Sequence, residues 1–326
     1  MPPAPGRTTT STGCARVGLN AVIISVEGTT PRILTVQVPN GGPGLPGAYL
    51  DDDVDRTLEQ GVRRLVGTQT GLPVRYFEQL YTFGDRDRAP GGRELAVAYL
   101  ALALYQPVQG PGEPRWQDCY ELLPWEDWRA GKPGVIDKVI MPAIETWLSR
   151  SAAGTLDVRT ERAELTFGLG HARWDPLRVL DRYELLYELR LVGEAMPAAA
   201  EDVRHGRAGP AGETGLGLPL VLDHRRIVAA ALERLRGKLA YRPVVFEVLP
   251  PSFTLSRLQQ VVEAFAGQGL HKQNFRRLVA AANLVEPTGE EDPRTGGRPA
   301  ELYRFRREVL RERPAPGLGL RRLGGP

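Results

Sequence analysis

The sequence predicts an α+β chain of two folded domains, the second a helix–turn–helix closed by a β-hairpin. Three observations carry this. The length, 326 residues, suits two hydrophobic cores of ordinary size. The first half alternates apolar strands with one amphipathic helix, and the last third spaces its apolar residues as helices do. Charge is divided unevenly: from Leu222 onward 19 Lys and Arg face 11 Asp and Glu, a balance of +8, whereas the remainder carries 23 against 28. A basic C-terminal third on an acidic body is the electrostatic pattern of a nucleic-acid-binding domain. A solvated Arg-rich surface is the alternative that composition alone leaves open.

In chain order, residues 1–13 (MPPAPGRTTTSTG) lack the apolar core of a signal peptide, and residues 1–15 are expected to form a disordered leader. Residues 17–26 (VGLNAVIISV) and 32–38 (RILTVQV) read as a strand hairpin around a Gly-Thr-Thr-Pro turn. A Gly/Pro-rich turn at 40–47 follows. Asp51–Asp53 are then candidate caps for a helix running from Asp53 on Val54, Leu58, Val62, Leu65 and Val66 to Gly71. Strands are expected at 76–83 and 95–104, and a helix at 135–149. Residues 155–169 (TLDVRTERAELTFGL) have strand character, 176–192 read as a helix, and 195–217, rich in Ala, Gly and Pro, read as a linker.

Residues 225–239 form an amphipathic helix on Ile227, Ala231, Leu235 and Leu239, and 244–249 a short strand. Thr254 caps a helix built on Leu255, Leu258, Val262 and Phe265. A turn at Gly267–Gly269 leads to a further helix, 271–282, with Phe275, Leu278 and Val279 inward. Two strands, 284–286 and 302–305, flank a Gly-, Pro- and Arg-rich tip. Helix–turn–helix plus hairpin is a winged helix, whose second helix enters the DNA major groove. Lys272, Gln273, Asn274 and Arg276 are the candidate base readers. Arg277 and Arg298 are candidate phosphate contacts, and Thr254 completes the DNA-facing set. A protein-docking winged helix is the competing reading.

No catalytic constellation is visible. His171, His205, His224 and His271 lack ligand spacing with either cysteine, so neither metal nor cofactor is expected. Cys14 and Cys119 lie too far apart to suggest a disulfide framework and suit a reducing, cytoplasmic setting. No apolar run approaches the ~18–20 residues of a membrane helix, so no membrane partner is expected.

The first half resembles the Nudix superfamily, whose loop-and-helix signature G-x5-E-x7-R-E-U-x-E-E-x-G-U holds divalent metal through glutamates. Leu45-Pro46-Gly47 and Gly71-Leu72 match its ends, although the spacing is about three residues too long. Counted back from Gly71, the R-E-U-x-E-E stretch falls on Arg64, Leu65, Val66, Gly67, Thr68 and Gln69, without a carboxylate. That argues against metal-assisted hydrolysis. Stretches 78–86 (EQLYTFGDR), 222–227 (LDHRRI), 249–255 (LPPSFTL), 271–277 (HKQNFRR) and 297–300 (GRPA) resemble the NrtR-like regulators of bacterial NAD metabolism, closest to the proteobacterial branch.

The resemblance covers about residues 17–148 and 218–310. It implies a Nudix-like α/β/α sandwich joined to a C-terminal winged helix, and a homodimeric repressor of NAD-synthesis or salvage genes. An ADP-ribose- or NAD-type nucleotide would shift its affinity for operator DNA. The candidate effector contacts are Arg86, Arg88, Arg93 and Glu94, on the TFGDRDR turn and the strand after it, because a planar guanidinium fork suits diphosphate oxygens. The expected division is a Nudix-like effector domain at 16–150, an extension and linker without assigned role at 151–217, the winged helix at 218–312 and a flexible tail at 313–326. The alternatives are a Nudix hydrolase with an accessory winged helix, and a protein-interaction scaffold.

Overall fold

β1 (Arg16–Glu27) is the strand around which the first domain is laid. In this computed structural model, which describes residues 15–38, 41–85, 88, 93–195, 216–293 and 299–318, β1 pairs in parallel with β6 (Glu94–Leu102) from Arg16 opposite Glu94 to Ile24 opposite Leu102. β2 (Thr30–Gln37) lies antiparallel on the other side of β1, and β5 (Tyr76–Phe83) antiparallel beside β6. β3 (Pro43–Gly44), β4 (Gly47–Tyr49) and β7 (Arg115–Asp118) complete a seven-stranded sheet with the path β3-β2-β1-β6-β5.

Side chains alternate between the faces of a strand. Leu19, Ala21 and Ile23 therefore join Val97, Tyr99 and Ala101 under one layer, while Val22, Ile24 and Val26 join Ala98, Leu100 and Leu102 under another. Both faces are covered, which is why these strands read as continuous apolar runs.

The first face is closed by α1 (Leu58–Thr70) through Val62, Leu65 and Val66. The helix does not start at Asp53: Thr57 is its cap, its hydroxyl accepting from Gln60 N–H at 3.1 Å. Asp51–Asp53 lie before the helix rather than at its cap, and the Asp55 carboxylate is buried and takes a two-pronged bond from Arg64, at 2.7 and 2.8 Å.

The second face is closed by helices from distant parts of the chain. α2 (Cys119–Leu122) leads, through a single turn at Pro124–Glu126, to a π-helical segment at Ile136–Ile140 and α3 (Met141–Ser149). Residues 153–167 form a helix, α4 (Ala153–Phe167), not a strand: Ala163, Thr166 and Phe167 bury one face at helical spacing. α5 (Val179–Glu188) follows, shorter than the expected 176–192. Residues 196–215, most of the expected linker, lie outside the described residues.

α6 (His224–Leu239) packs against α5 and against β1, β5 and β6. It is buried almost all round, with Arg225 and Arg236 inside as well as Ile227, Val228, Leu232 and Leu235. It is therefore a core helix rather than an amphipathic surface one. Val244–Val248 is a 3-10 turn rather than a strand, with Val244, Val245 and Val248 inward.

The C-terminal module is β8 (Phe253–Thr254), α7 (Leu255–Ala266), α8 (Lys272–Ala282), β9 (Val285–Asp292) and β10 (Ala300–Phe305), in a three-stranded sheet of order β8-β10-β9. Its core of Leu258, Val262, Phe265, Phe275 and Val279 is continuous through α6 with Val22, Ile24 and Leu100 under the large sheet. The two halves thus share one apolar core.

Gly267, which ends α7, has φ +68°, and a Cβ there would lie 2.5 Å from the Glu126 carbonyl oxygen. Gly267→Ala should cost about 1–3 kcal/mol through strain and displaced backbone; urea unfolding that leaves the midpoint unchanged would contradict this packing.

Candidate functional site

The DNA-facing candidates stand on α8. Phe275 and Val279 are 1% and 2% exposed and seat the helix on the module's core. The intervening positions turn outward: Lys272, Gln273, Asn274, Arg276 and Arg277 are all exposed. The turn before α8 is fixed from within. Glu263 accepts from Leu270 N–H at 2.8 Å, and the Gln259 side chain donates to the Leu270 carbonyl at 2.8 Å.

Thr254 is less available than expected. Its hydroxyl accepts from Arg257 N–H at 3.1 Å as the cap of α7, and its residue is half-buried. Arg298 lies outside the described residues. β9 exposes the acidic Glu290 and Glu291, so among the described residues the exposed Lys and Arg candidates of the module stand on α8.

On the first domain, the structure shows what replaced the Nudix carboxylates. Arg64 holds Asp55, keeping that carboxyl below its ordinary range. Leu65 and Val66 are core residues. Thr68 donates to the Arg64 carbonyl at 2.9 Å. The Gln69 amide accepts from Gly47 N–H at 3.0 Å and donates to the Gly47 carbonyl at 2.9 Å. A glutamate could accept but not donate, so this position now ties the loop instead of holding a cation. The donor set does not fit a divalent metal, and among the described residues no group of three or more His, Cys, Asp or Glu is placed to hold one.

Of the effector candidates, Arg86 lies outside the described residues and Arg93 is exposed. Arg88 and Glu94 are brought together: they are ion-paired, both nearly buried. Glu94 also accepts from the Tyr49 hydroxyl at 2.7 Å. Arg88 Nε donates to Asp223 at 3.0 Å, at the threshold of α6. Burial pushes the Asp223 carboxyl above its usual range although Arg88 opposes the shift. Beside it, His224 Nδ1 accepts from Leu45 N–H at 2.9 Å, and the Asn20 amide lies 3.4 Å from Nε2.

Burial, helped by the Arg88 charge, drives the His224 pKa down to about 3 from 6.5. A neutral buried histidine stabilises the fold fully above the unfolded value and loses that contribution as pH falls from about 6.5 toward 3. His224→Asn keeps an acceptor for Leu45 and should flatten the stability–pH curve in that window; an unchanged curve would mean that His224 is not the titrating group.

Residues 245–305 match the family model of the NrtR DNA-binding winged helix domain. Over 291 residues, 88% of this chain and 80% of its relative, the sequence is 39% identical to the ADPR responsive transcriptional repressor NtrR of Acinetobacter baylyi. The chain belongs to the NrtR family. Solved structures share the fold: Shewanella oneidensis NrtR complexed with a 27mer DNA superposes with TM-score 0.56 at 23% identity, covering 90% of this chain and 95% of that one. A MutT/nudix family protein from Enterococcus faecalis gives TM-score 0.53 at 17% identity, covering 92% and 90%. The fold of this NrtR-family chain is thus a Nudix-like domain followed by a winged helix.

Sequence reasoning assigned no role to Gln69, Asp223 or His224. A signal for Gln69 was present in the loss of the glutamate, but its contact with Gly47 bridges 22 residues and has no periodic signature. The Asp223 and His224 contacts span still longer separations, 135 and 179 residues.

Proposed function

We propose that this protein is a transcriptional repressor that reads operator DNA through α8 and answers to an ADP-ribose-type nucleotide bound by a Nudix-like domain that no longer hydrolyses it. The observation that carries the reading is α8: a helix whose apolar side is locked into the core and whose N-terminal half presents Lys, Gln, Asn and Arg to solvent. Those are the side chains that pair with guanine and adenine edges. The name of the Acinetobacter relative, an ADPR-responsive repressor, supports the effector class. We assign the effector role to 16–150, the reading role to the winged helix, and to Arg88, Arg93 and Glu94 the neighbourhood of the nucleotide phosphates. The protein acts as a homodimer on an inverted repeat, upstream of NAD-synthesis or salvage genes.

The loop chemistry favours the absence of hydrolysis, since Gln69 and Arg64 are committed to backbone and Asp55. Incubation with ADP-ribose and Mg2+ or Mn2+ should give no product; turnover on the order of 1 s⁻¹ or faster would overturn this part. Selection of bound genomic fragments with and without ADP-ribose tests the rest. Enrichment of fragments next to NAD-related genes, altered by the nucleotide, is the expected result. Fragments without a common sequence would refute it.

A further inference from the structure

α6 is tied at its two ends to the two working parts of the molecule. At the N-terminal end Arg88 reaches Asp223 at 3.0 Å, and Arg226 pairs with Asp85, on the same turn, and with Glu184 of α5. Asp223 stands where a helix cap would stand, yet its side chain makes no cap bond, being turned toward Arg88. The pair is imperfect. Arg88 Nη2 and Asp223 Oδ1 are 2.9 Å apart but buried without a properly aimed hydrogen bond.

At the C-terminal end Arg236 Nε donates to the Phe265 carbonyl at 3.1 Å, and the same guanidinium holds the Glu126 carboxylate and, at 3.1 Å, its carbonyl. Tyr120 donates to the Ala264 carbonyl at 2.7 Å, and Trp128 N–H to the Gly267 carbonyl at 2.7 Å. The last carbonyls of α7, which lead into the turn before α8, are thus satisfied from α6 and the segment it braces, not by solvent. Between these ends α6 is a 16-residue helix, about 24 Å long, most of whose side chains are buried.

We propose that α6 couples the two sites, with Asp223 and Arg236 as positioning residues at its ends. An anionic nucleotide competes with Asp223 for Arg88. The freed Asp223 turns to the amides of the first turn of α6, as an N-cap does. The helix shifts, and Arg236 carries the shift to the end of α7 and so to α8. Allosteric coupling requires one element whose arrangement both ligands bias, and α6 touches both. This rests on the effector reading above.

The test is operator affinity by fluorescence anisotropy, with and without saturating ADP-ribose, together with calorimetric ADP-ribose binding, for the unaltered full chain, Asp223→Asn, Asp223→Glu and Arg236→Lys. The unaltered protein should change operator affinity on the order of 5- to 150-fold with nucleotide. Asp223→Asn should still bind ADP-ribose and operator, but its nucleotide response should fall at least fivefold. Asp223→Glu should recover part of it. Arg236→Lys, which cannot hold Glu126 and the Phe265 carbonyl together, should also lose the response while still binding nucleotide. An undiminished response in both Asp223→Asn and Arg236→Lys overturns the proposal. ADP-ribose that binds no unaltered protein, or binds without changing its operator affinity, overturns the effector reading and the proposal with it.

Discussion

Replacing Asn274 or Arg276 with alanine is expected to weaken binding to the preferred operator by about 1–3 kcal/mol each, roughly 5- to 150-fold, and to relax base preference at one position. Phe275 and Val279 are anchored in the core, so the orientation of α8 survives truncation of its exposed side chains. The loss therefore reports contact with bases and not a displaced helix. Arg277 should behave differently. Its guanidinium lies 3.5 Å from the Asn274 side-chain oxygen, too long for a strong bond, and it remains free to reach a phosphate. Arg277→Ala should weaken matched and scrambled DNA alike and reduce the slope of log affinity against log salt by about one unit. Anisotropy titrations at several salt concentrations separate the two patterns. If all three variants bind DNA as the unaltered protein does, with circular dichroism unchanged, the module docks on something other than DNA.

The second large effect concerns Glu126. It is buried between two guanidiniums, Arg182 and Arg236, and both its oxygens are bonded. Arg182 is stacked 3.8 Å from the Trp174 ring centroid and also donates to the carbonyls of Thr166 and Asp175. Glu126→Gln leaves two cations in the core with no anion. Breaking a buried pair in this way costs about 3–5 kcal/mol, a fall in melting temperature on the order of 10 °C. Burial raises the Glu126 pKa, but the two guanidiniums overcome it and hold the carboxyl below its ordinary 4.5. Its stabilisation is therefore complete above about pH 4.5 and is lost as pH falls through the lower folded value. Calorimetric melts of the variant should be lower than those of the unaltered protein at pH 7 and converge with them in acid. A variant that melts within 2 °C of the unaltered protein at pH 7 (about 1 kcal/mol or less) would show that the cluster contributes little.

Much of this architecture is written in local patterns. The strands expected at 17–26, 76–83 and 95–104 are found at 16–27, 76–83 and 94–102: the first and third read as near-continuous apolar runs because both their faces are covered, while the second buries only part of its side chains. The turn at Gly267 and the helix after it follow from a left-handed glycine and from Phe275, Leu278 and Val279 at helical spacing. Where the reading failed, two periodicities competed. Residues 155–169 alternate polar and apolar closely enough to pass for a strand. Packing of Ala163 and Phe167 decides for a helix. Val244, Val245 and Val248 look like a strand by composition, yet among the described residues no strand lies beside them, and they curl into a 3-10 turn.

The sequence by itself determined the mixed α+β class, the helix α8 with its polar, basic outer side, and the absence of a carboxylate from residues 64–69. Each of these depends on residue type at fixed local spacing, and local spacing is what a chain displays. Tertiary structure alone decided that α6 lies inside the first domain's second layer. It also decided that Arg88 and Glu94 pair with each other, that Gln69 holds Gly47, and that Arg236 terminates α7. A buried charge must find its partner wherever folding brings one near: Arg88 pairs with Glu94 six residues on and with Asp223 at a separation of 135. Desolvation, not sequence neighbourhood, selects that partner.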